Sequence, residues 1–170
     1  YLQECTGFDS RRVIGTSTAL DSARLRRVLS GQLNIDQKSI HAYVMGEHGE
    51  SQMVPWSNVS VGGKSIWTLM GQHPDTYGRM EGKGSTEFGI STALAEIVKA
   101  IFYNERKILP VSVRLNGKYG QKEVYAGVPA VLGHDGVLDV LEIEMTKDEK
   151  MEFSASCHAM KEFYERIGKM

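Results

Sequence analysis

The chain has 170 residues, 41% hydrophobic and 24% charged, a composition that suits a globular domain with a core of its own. Lys+Arg 20 against Asp+Glu 21 leave a formal net charge of -1, so charge gives no reason to expect nucleic acid or an anionic membrane surface as partner. No apolar run approaches the ~20 residues of a membrane helix and no signal peptide opens the chain; Cys5 and Cys157, at opposite ends, lack metal-ligand spacing and read as free thiols, with a disulfide left open.

Tyr1 to Phe8 reads as the last turns of a helix stopped by Gly7, and the absence of an initiator methionine implies a chain that continues a longer protein. Gly15-Thr16-Ser17-Thr18 is rich in helix N-cap residues, and a helix is expected from Thr18 to Gln32 with Gly31 as a weak stop. Ile40 to Met45 reads as a buried strand leading into Gly46-Glu47-His48-Gly49-Glu50-Ser51. Val54 to Trp56 and Val59 to Val61 are short extended pieces, and one or two short helices are expected between Lys64 and Gly84. Thr86-Glu87 caps a strong helix, in which Ile90, Leu94, Ile97, Val98 and Ile101 form one stripe up to Asn104. Ile108 to Leu115, Glu123 to Leu132 (broken by Gly127 and Pro129) and Val137 to Ile143 predict an antiparallel meander, with Asn116-Gly117 and His134-Asp135-Gly136 as turns. Thr146 to Glu149 is a capping box for a last helix whose buried stripe is Phe153, Cys157, Met160, Tyr164 and Ile167.

Three residues carry a coherent chemistry. His48, set between Gly46 and Gly49 at a strand end, suits acid/base work because imidazole titrates near neutrality. The glycines allow a sharp turn and close approach of a ligand. Such a turn also serves as a plain surface loop with a solvated histidine. Asp21 and Arg24 lie three apart on one helix face; they suit either a surface ion pair or a working pair. In the second case Asp21 fixes the imidazole tautomer, and Arg24 offers a planar fork to a substrate carboxylate. That set points to a 2-oxo or 2-hydroxy acid. His73, His134, His158, Trp56 and Trp67 have no motif context and read as surface, cap or packing residues, and no metal constellation is present.

Gly15 to Arg26 and Met45 to Ser51, together and in order, resemble the L-lactate/malate dehydrogenase family, and the resemblance covers essentially the whole chain as that family's carboxy-terminal, substrate-binding domain. It implies an α+β fold with helices packed on an antiparallel sheet. It implies His48 as proton donor and acceptor, Asp21 as its carboxylate partner and Arg24 as binder of the substrate carboxylate. Lys83-Gly84-Ser85-Thr86 resembles the lactate branch, in which a threonine lines the pocket beside the substrate; the malate branch usually has a small residue without the hydroxyl. Ile90 and Thr16 match positions near the nicotinamide of NAD, Thr16 where many members carry serine. Arg26 and His41 match the pair that binds fructose 1,6-bisphosphate between subunits of allosterically activated bacterial members. Arg26, two residues from Arg24, is expected on nearly the opposite helix face.

No G-x-G-x-x-G follows a strand in this sequence. The resemblance therefore implies a separate amino-terminal NAD-binding domain, with residues 1–12 as the tail of the joining segment. The expected whole is a cytoplasmic NAD-dependent dehydrogenase of glycolysis, a homo-oligomer (tetramer or dimer) acting on pyruvate and L-lactate, with malate or branched-chain 2-hydroxy acids as the alternative. In isolation the chain is expected to be an inactive assembly and effector-binding module.

Overall fold

The computed structural model describes residues 1–72 and 87–167. Its helices are α1 (Leu2–Thr6), α2 (Ala19–Leu33), α3 (Ile66–Gln72), α4 (Glu87–Phe102) and α5 (Lys147–Ile167), and its strands are β1 (Ile40–His41), β2 (Ser60–Val61), β3 (Lys64–Ser65), β4 (Lys107–Asn116), β5 (Lys122–Gly133) and β6 (Gly136–Val140). The long strands form an antiparallel sheet in the order β4–β5–β6, and the short ones a second antiparallel sheet in the order β1–β2–β3. Helices α4 and α5 pack on β5. The fold is α+β, as expected, and no helix among the described residues is long and apolar enough to cross a membrane.

The alternating residues of β4 and β5 supply most of the main core. Val111, Val113 and Leu115 pack with Val124, Ala126, Val128, Ala130 and Leu132, against Ala93, Ile97 and Ala100 of α4 and Phe153 and Cys157 of α5. Burying a side chain such as Phe153 contributes roughly 1.5–3 kcal/mol. Burial also pushes the Cys157 thiol up to about 12, which keeps it protonated and inert. A second core of Leu29, Ile40, Ala42, Val59, Val61 and Ile66 joins α2 to the small sheet.

The middle of the long hairpin positions everything else. Ser112 and Gly127 face each other in the ladder, and both point their backbone groups away from one another. Ser112 exchanges two hydrogen bonds with Gly15, at 3.0 and 2.9 Å, and Gly127 exchanges two with Gly46, at 2.9 and 2.8 Å. A row Gly15–Ser112–Gly127–Gly46 results. It anchors the entry to α2 on one side and the His48 loop on the other. Gly127 has no room for a side chain, because a Cβ there would run into Thr18, Ser17 and the Gly46 carbonyl.

The sequence expectations are corrected in several places. β1 is only Ile40–His41, and further on Met45 and Gly46 make isolated bridges to Met53 and Gly127. Side chains of α2 take the backbone groups that a neighbouring strand would have taken: Arg26 Nη1 donates to the Ala42 carbonyl at 3.1 Å, and the Val44 N–H donates to Ser22 Oγ at 2.8 Å. Helix α2 runs through Gly31 and ends where Asn34 turns left-handed, at φ 54°. β5 is not broken at Gly127 or Pro129. Pro129 faces Pro110 in a pair whose N–H positions point outward, so neither ring removes a bond between the two strands. Pro129 accepts from the Leu141 N–H but has no N–H to return, and β6 stops at Val140.

On α4 the buried face is Ala93, Ile97 and Ala100, while Ile90, Leu94 and Val98 of the expected stripe are 50%, 47% and 41% exposed. Tyr164 of α5 is also exposed and donates its hydroxyl proton to Glu4. The capping box at Thr146 forms: Thr146 N–H donates to Glu149 Oε2 at 2.9 Å and Glu149 N–H to Thr146 Oγ1 at 3.3 Å. Cys5 and Cys157 are both free. The Thr86 cap, His73 and the glycine-rich stretch beyond it lie outside the described residues.

The β5–β6 turn gives one stability prediction. Gly136 has φ 93°, and a Cβ there would strike the Arg11 carbonyl group. Gly136→Ala should destabilise the fold by roughly 1–3 kcal/mol. A urea midpoint unchanged from wild type would show that the turn and the Arg11 segment relax freely.

Candidate functional site

Asp21 stands in the first turn of α2, where the unpaired N–H groups of the helix end favour a carboxylate. His48 sits in the loop anchored by Gly46. The two side chains meet: His48 Nδ1–H donates to Asp21 Oδ2 at 2.6 Å. Asp21 is 10% exposed and His48 55% exposed, so the carboxylate lies beneath an imidazole that opens to solvent. With Nδ1 committed to Asp21, Nε2 is the nitrogen that takes up and releases a proton. It has no protein partner among the described residues.

Arg24 Nη1 lies 3.6 Å from the other carboxylate oxygen, Asp21 Oδ1. At that distance the contact is a loose ion pair and no hydrogen bond. The guanidinium, about one-third exposed, therefore keeps its donors for a further anion. Asp21 is thus shared, one oxygen orienting the imidazole and the other facing the guanidinium.

The other sequence-predicted residues are placed as follows. Thr16 is half-buried just before α2, and its hydroxyl has no protein partner among the described residues. Ile90 presents an exposed apolar side chain on α4. Thr86 lies outside the described residues. His41 is exposed on β1.

Arg26 lies on α2 with Arg24. Two residues on from Arg24, it leaves α2 on nearly the opposite side, and its side chain still reaches the same cavity as Arg24 does. Arg24 and Arg26 both line a cavity of about 230 Å³ between α2 and α4, with Arg27, Thr92 and Glu96. Arg26 is half-buried, and that burial lowers its pKa against the opposing pull of Glu96 and Tyr43.

Gly46 and Gly49 are both positions where a side chain would be crowded. Gly46 adopts a positive φ of 89°, and a Cβ there would collide with the buried Ser156 hydroxyl of α5. At Gly49 a Cβ would crowd the Glu47 carboxylate. Two serines escaped the sequence reading, Ser22 beneath Val44 and Ser156 beneath Glu47. The signal available for Ser156 was a polar residue on the apolar stripe of α5, one turn after Phe153.

An imidazole oriented by a buried carboxylate beside a guanidinium is equipment for acid/base chemistry on a substrate that bears its own carboxylate. Comparison with known proteins gives the family. The model of the lactate/malate dehydrogenase, alpha/beta C-terminal domain matches residues 18–76 and 79–169. The L-lactate dehydrogenase of Fusobacterium nucleatum is 41% identical over 99% of this chain, and L-lactate dehydrogenase 3 of Bacillus cereus is 38% identical over 96%. This chain spans 58% and 57% of those two relatives' lengths. Among solved structures, the minor L-lactate dehydrogenase of Enterococcus mundtii superposes with a TM-score of 0.84 at 34% identity, over 94% of this chain and 56% of that one. Cryptosporidium parvum malate dehydrogenase gives 0.92 at 26% identity, over 100% of this chain and 60% of that one. The chain belongs to the lactate/malate dehydrogenase family, as a carboxy-terminal domain.

Proposed function

We propose that this domain is the substrate-binding and acid/base part of an NAD-dependent L-lactate dehydrogenase. In this reading the whole is a cytoplasmic homotetramer or homodimer of glycolysis that interconverts pyruvate and L-lactate. The observation that carries it is the His48 Nδ1–H bond to Asp21 at 2.6 Å, with Arg24 at the other carboxylate oxygen. Arg24 turns its fork to the substrate carboxylate, bidentately. His48 as imidazolium gives its Nε2 proton to the carbonyl oxygen and recovers it from the hydroxyl in the reverse direction. Asp21 stays ionised and stabilises the charged ring.

NAD, when bound, supplies or accepts the hydride. Its phosphate cradle belongs to a separate amino-terminal domain, since no such glycine pattern occurs in this chain. Two features here fit the nicotinamide end, the unpartnered hydroxyl of Thr16 for an amide and the exposed apolar side chain of Ile90 for a ring. Residues 1–170 alone are accordingly inactive. Thr86, on its resemblance to the lactate branch, is assigned to the substrate pocket.

The relatives at 38% and 41% identity carry the name L-lactate dehydrogenase, which favours lactate over malate or branched-chain acids. An effector reading has its own support. Arg26 donates to the carbonyl of Ala42, the residue after His41, which supports reading the two basic residues together. We assign them to a phosphate effector such as fructose 1,6-bisphosphate. One experiment tests both parts. The intact protein is assayed with NADH on pyruvate, oxaloacetate and branched-chain 2-oxo acids, with and without the bisphosphate, as wild type and as Arg26→Gln. Pyruvate should give the highest kcat/KM. The bisphosphate should lower pyruvate KM in wild type only, and less so in added salt. Preference for oxaloacetate would reassign the substrate, and full activation of Arg26→Gln would move the effector site elsewhere.

A further inference from the structure

The loop that carries His48 is fastened from the far end of the chain. Ser156 of α5 is fully buried, and its Oγ accepts the backbone N–H of Glu47 at 2.8 Å, one residue before His48. Ser51 Oγ lies 3.2 Å from Ser156 Oγ and donates to Glu47 Oε2. Ser51 has a single hydroxyl proton, and the Glu47 carboxylate takes it, so the Ser156 hydroxyl donates to Ser51. The four groups close a ring, from the Glu47 N–H through Ser156 and Ser51 back to the Glu47 carboxylate. Bonds linked in this way polarise and strengthen one another. Serines within helices commonly bond the carbonyl one turn back, whereas Ser156 directs its hydroxyl to the loop. The loop has been cut to fit it: Gly46 adopts φ 89°, and a Cβ there would collide with Ser156 Oγ. His48 therefore sits between two holds, the ring to α5 at Glu47 and Asp21 of α2 at its Nδ1.

We propose that Ser156 is a positioning residue for His48: through the ring it fixes the Glu47 backbone, so that the imidazole meets Asp21 in the Nδ1–H tautomer with Nε2 free. The inference rests on the acid/base reading of His48, and it deepens that reading by adding a residue that never touches substrate. Ser156→Ala leaves the Glu47 N–H without its acceptor and opens the ring. Ser51→Ala opens the ring but keeps the Glu47–Ser156 bond, so its effect should be smaller and in the same direction. Cys157→Ala removes the buried side chain next to Ser156, one that makes no hydrogen bond in the ring, so it is the control for loosening of α5.

Two readouts separate this proposal from the function on which it rests. The first is the tautomer of the neutral His48 ring, read from long-range proton–nitrogen correlation spectra of the full chain without cofactor or substrate. Wild type and Cys157→Ala should hold the Nδ1–H form, and Ser156→Ala should show a mixture of tautomers. The second is steady-state kinetics of the intact enzyme. Ser156→Ala should lower kcat roughly 10- to 100-fold, the scale of a small misplacement of a reacting group, and change KM for pyruvate by less than about twofold, because Arg24 stands on α2. An unchanged tautomer and kcat in Ser156→Ala, or equal losses in Cys157→Ala, would overturn the positioning role. If Ser156→Ala does not fold, Ser51→Ala decides: an Nδ1–H tautomer and kcat like those of wild type would overturn the proposal. A wild-type protein inactive on every 2-oxo acid would instead remove the function, and the tautomer comparison would still judge the ring.

Discussion

His48→Asn in the intact enzyme lowers kcat by about 10²–10⁴-fold, the usual contribution of a positioned general acid/base. Asparagine keeps a polar group near Asp21 but has no proton that it can give up and recover at neutral pH. The ring is 55% exposed, so its removal costs little core packing, and a folded mutant is expected. NADH affinity should survive, since the phosphate cradle belongs to another domain in the proposed enzyme. Single-turnover measurement of NADH oxidation with saturating pyruvate reads the chemical step directly. A rate within about twofold of wild type would remove His48 from the proton path.

Arg24→Lys raises KM for pyruvate by roughly 10- to 100-fold, the equivalent of losing one charge-assisted hydrogen bond of about 1.5–3 kcal/mol. Lysine keeps the charge but is a point donor and cannot present two parallel N–H groups to a carboxylate. In the wild type Arg24 is loosely held, at 3.6 Å from Asp21 and about one-third exposed. The mutation therefore costs little stability, and the loss should fall on substrate. An unchanged KM would place the carboxylate contact on another group.

Much of the fold was legible because its elements repeat a pattern. The alternation of β4, the Thr146–Glu149 box and the Phe153–Cys157 spacing each specify local structure without help from elsewhere. What was not legible depends on a distant partner. The strand expected over Ile40 to Met45 is short because Arg26 and Ser22, far away in sequence, take its backbone groups. The periodicity of Leu94 and Val98 defines a helix face, but Ala93 and Ala100, small enough to let α4 approach the sheet, decide which face is buried. Pro129 reads as a strand breaker until its pairing with Pro110 shows where the missing N–H would have pointed. For the site, Asp21 and Arg24 share a helix face by spacing alone. Their meeting with His48 is tertiary and was visible only through the family resemblance. Ser22 and Ser156 stayed hidden because their partners, Val44 and Glu47, are distant in sequence.

Translation delivers Asp21 and His48 long before it delivers the strands that align them. Residues 112 and 127 must leave the ribosome before Gly15 and Gly46 have anything to pair with. Until then, the core that joins α2 to the small sheet and the bonds from Ser22 and Arg26 are what hold the two segments near each other. A nascent chain stalled before Gly127 thus carries both side chains with the His48 loop still lacking its anchor at Gly46.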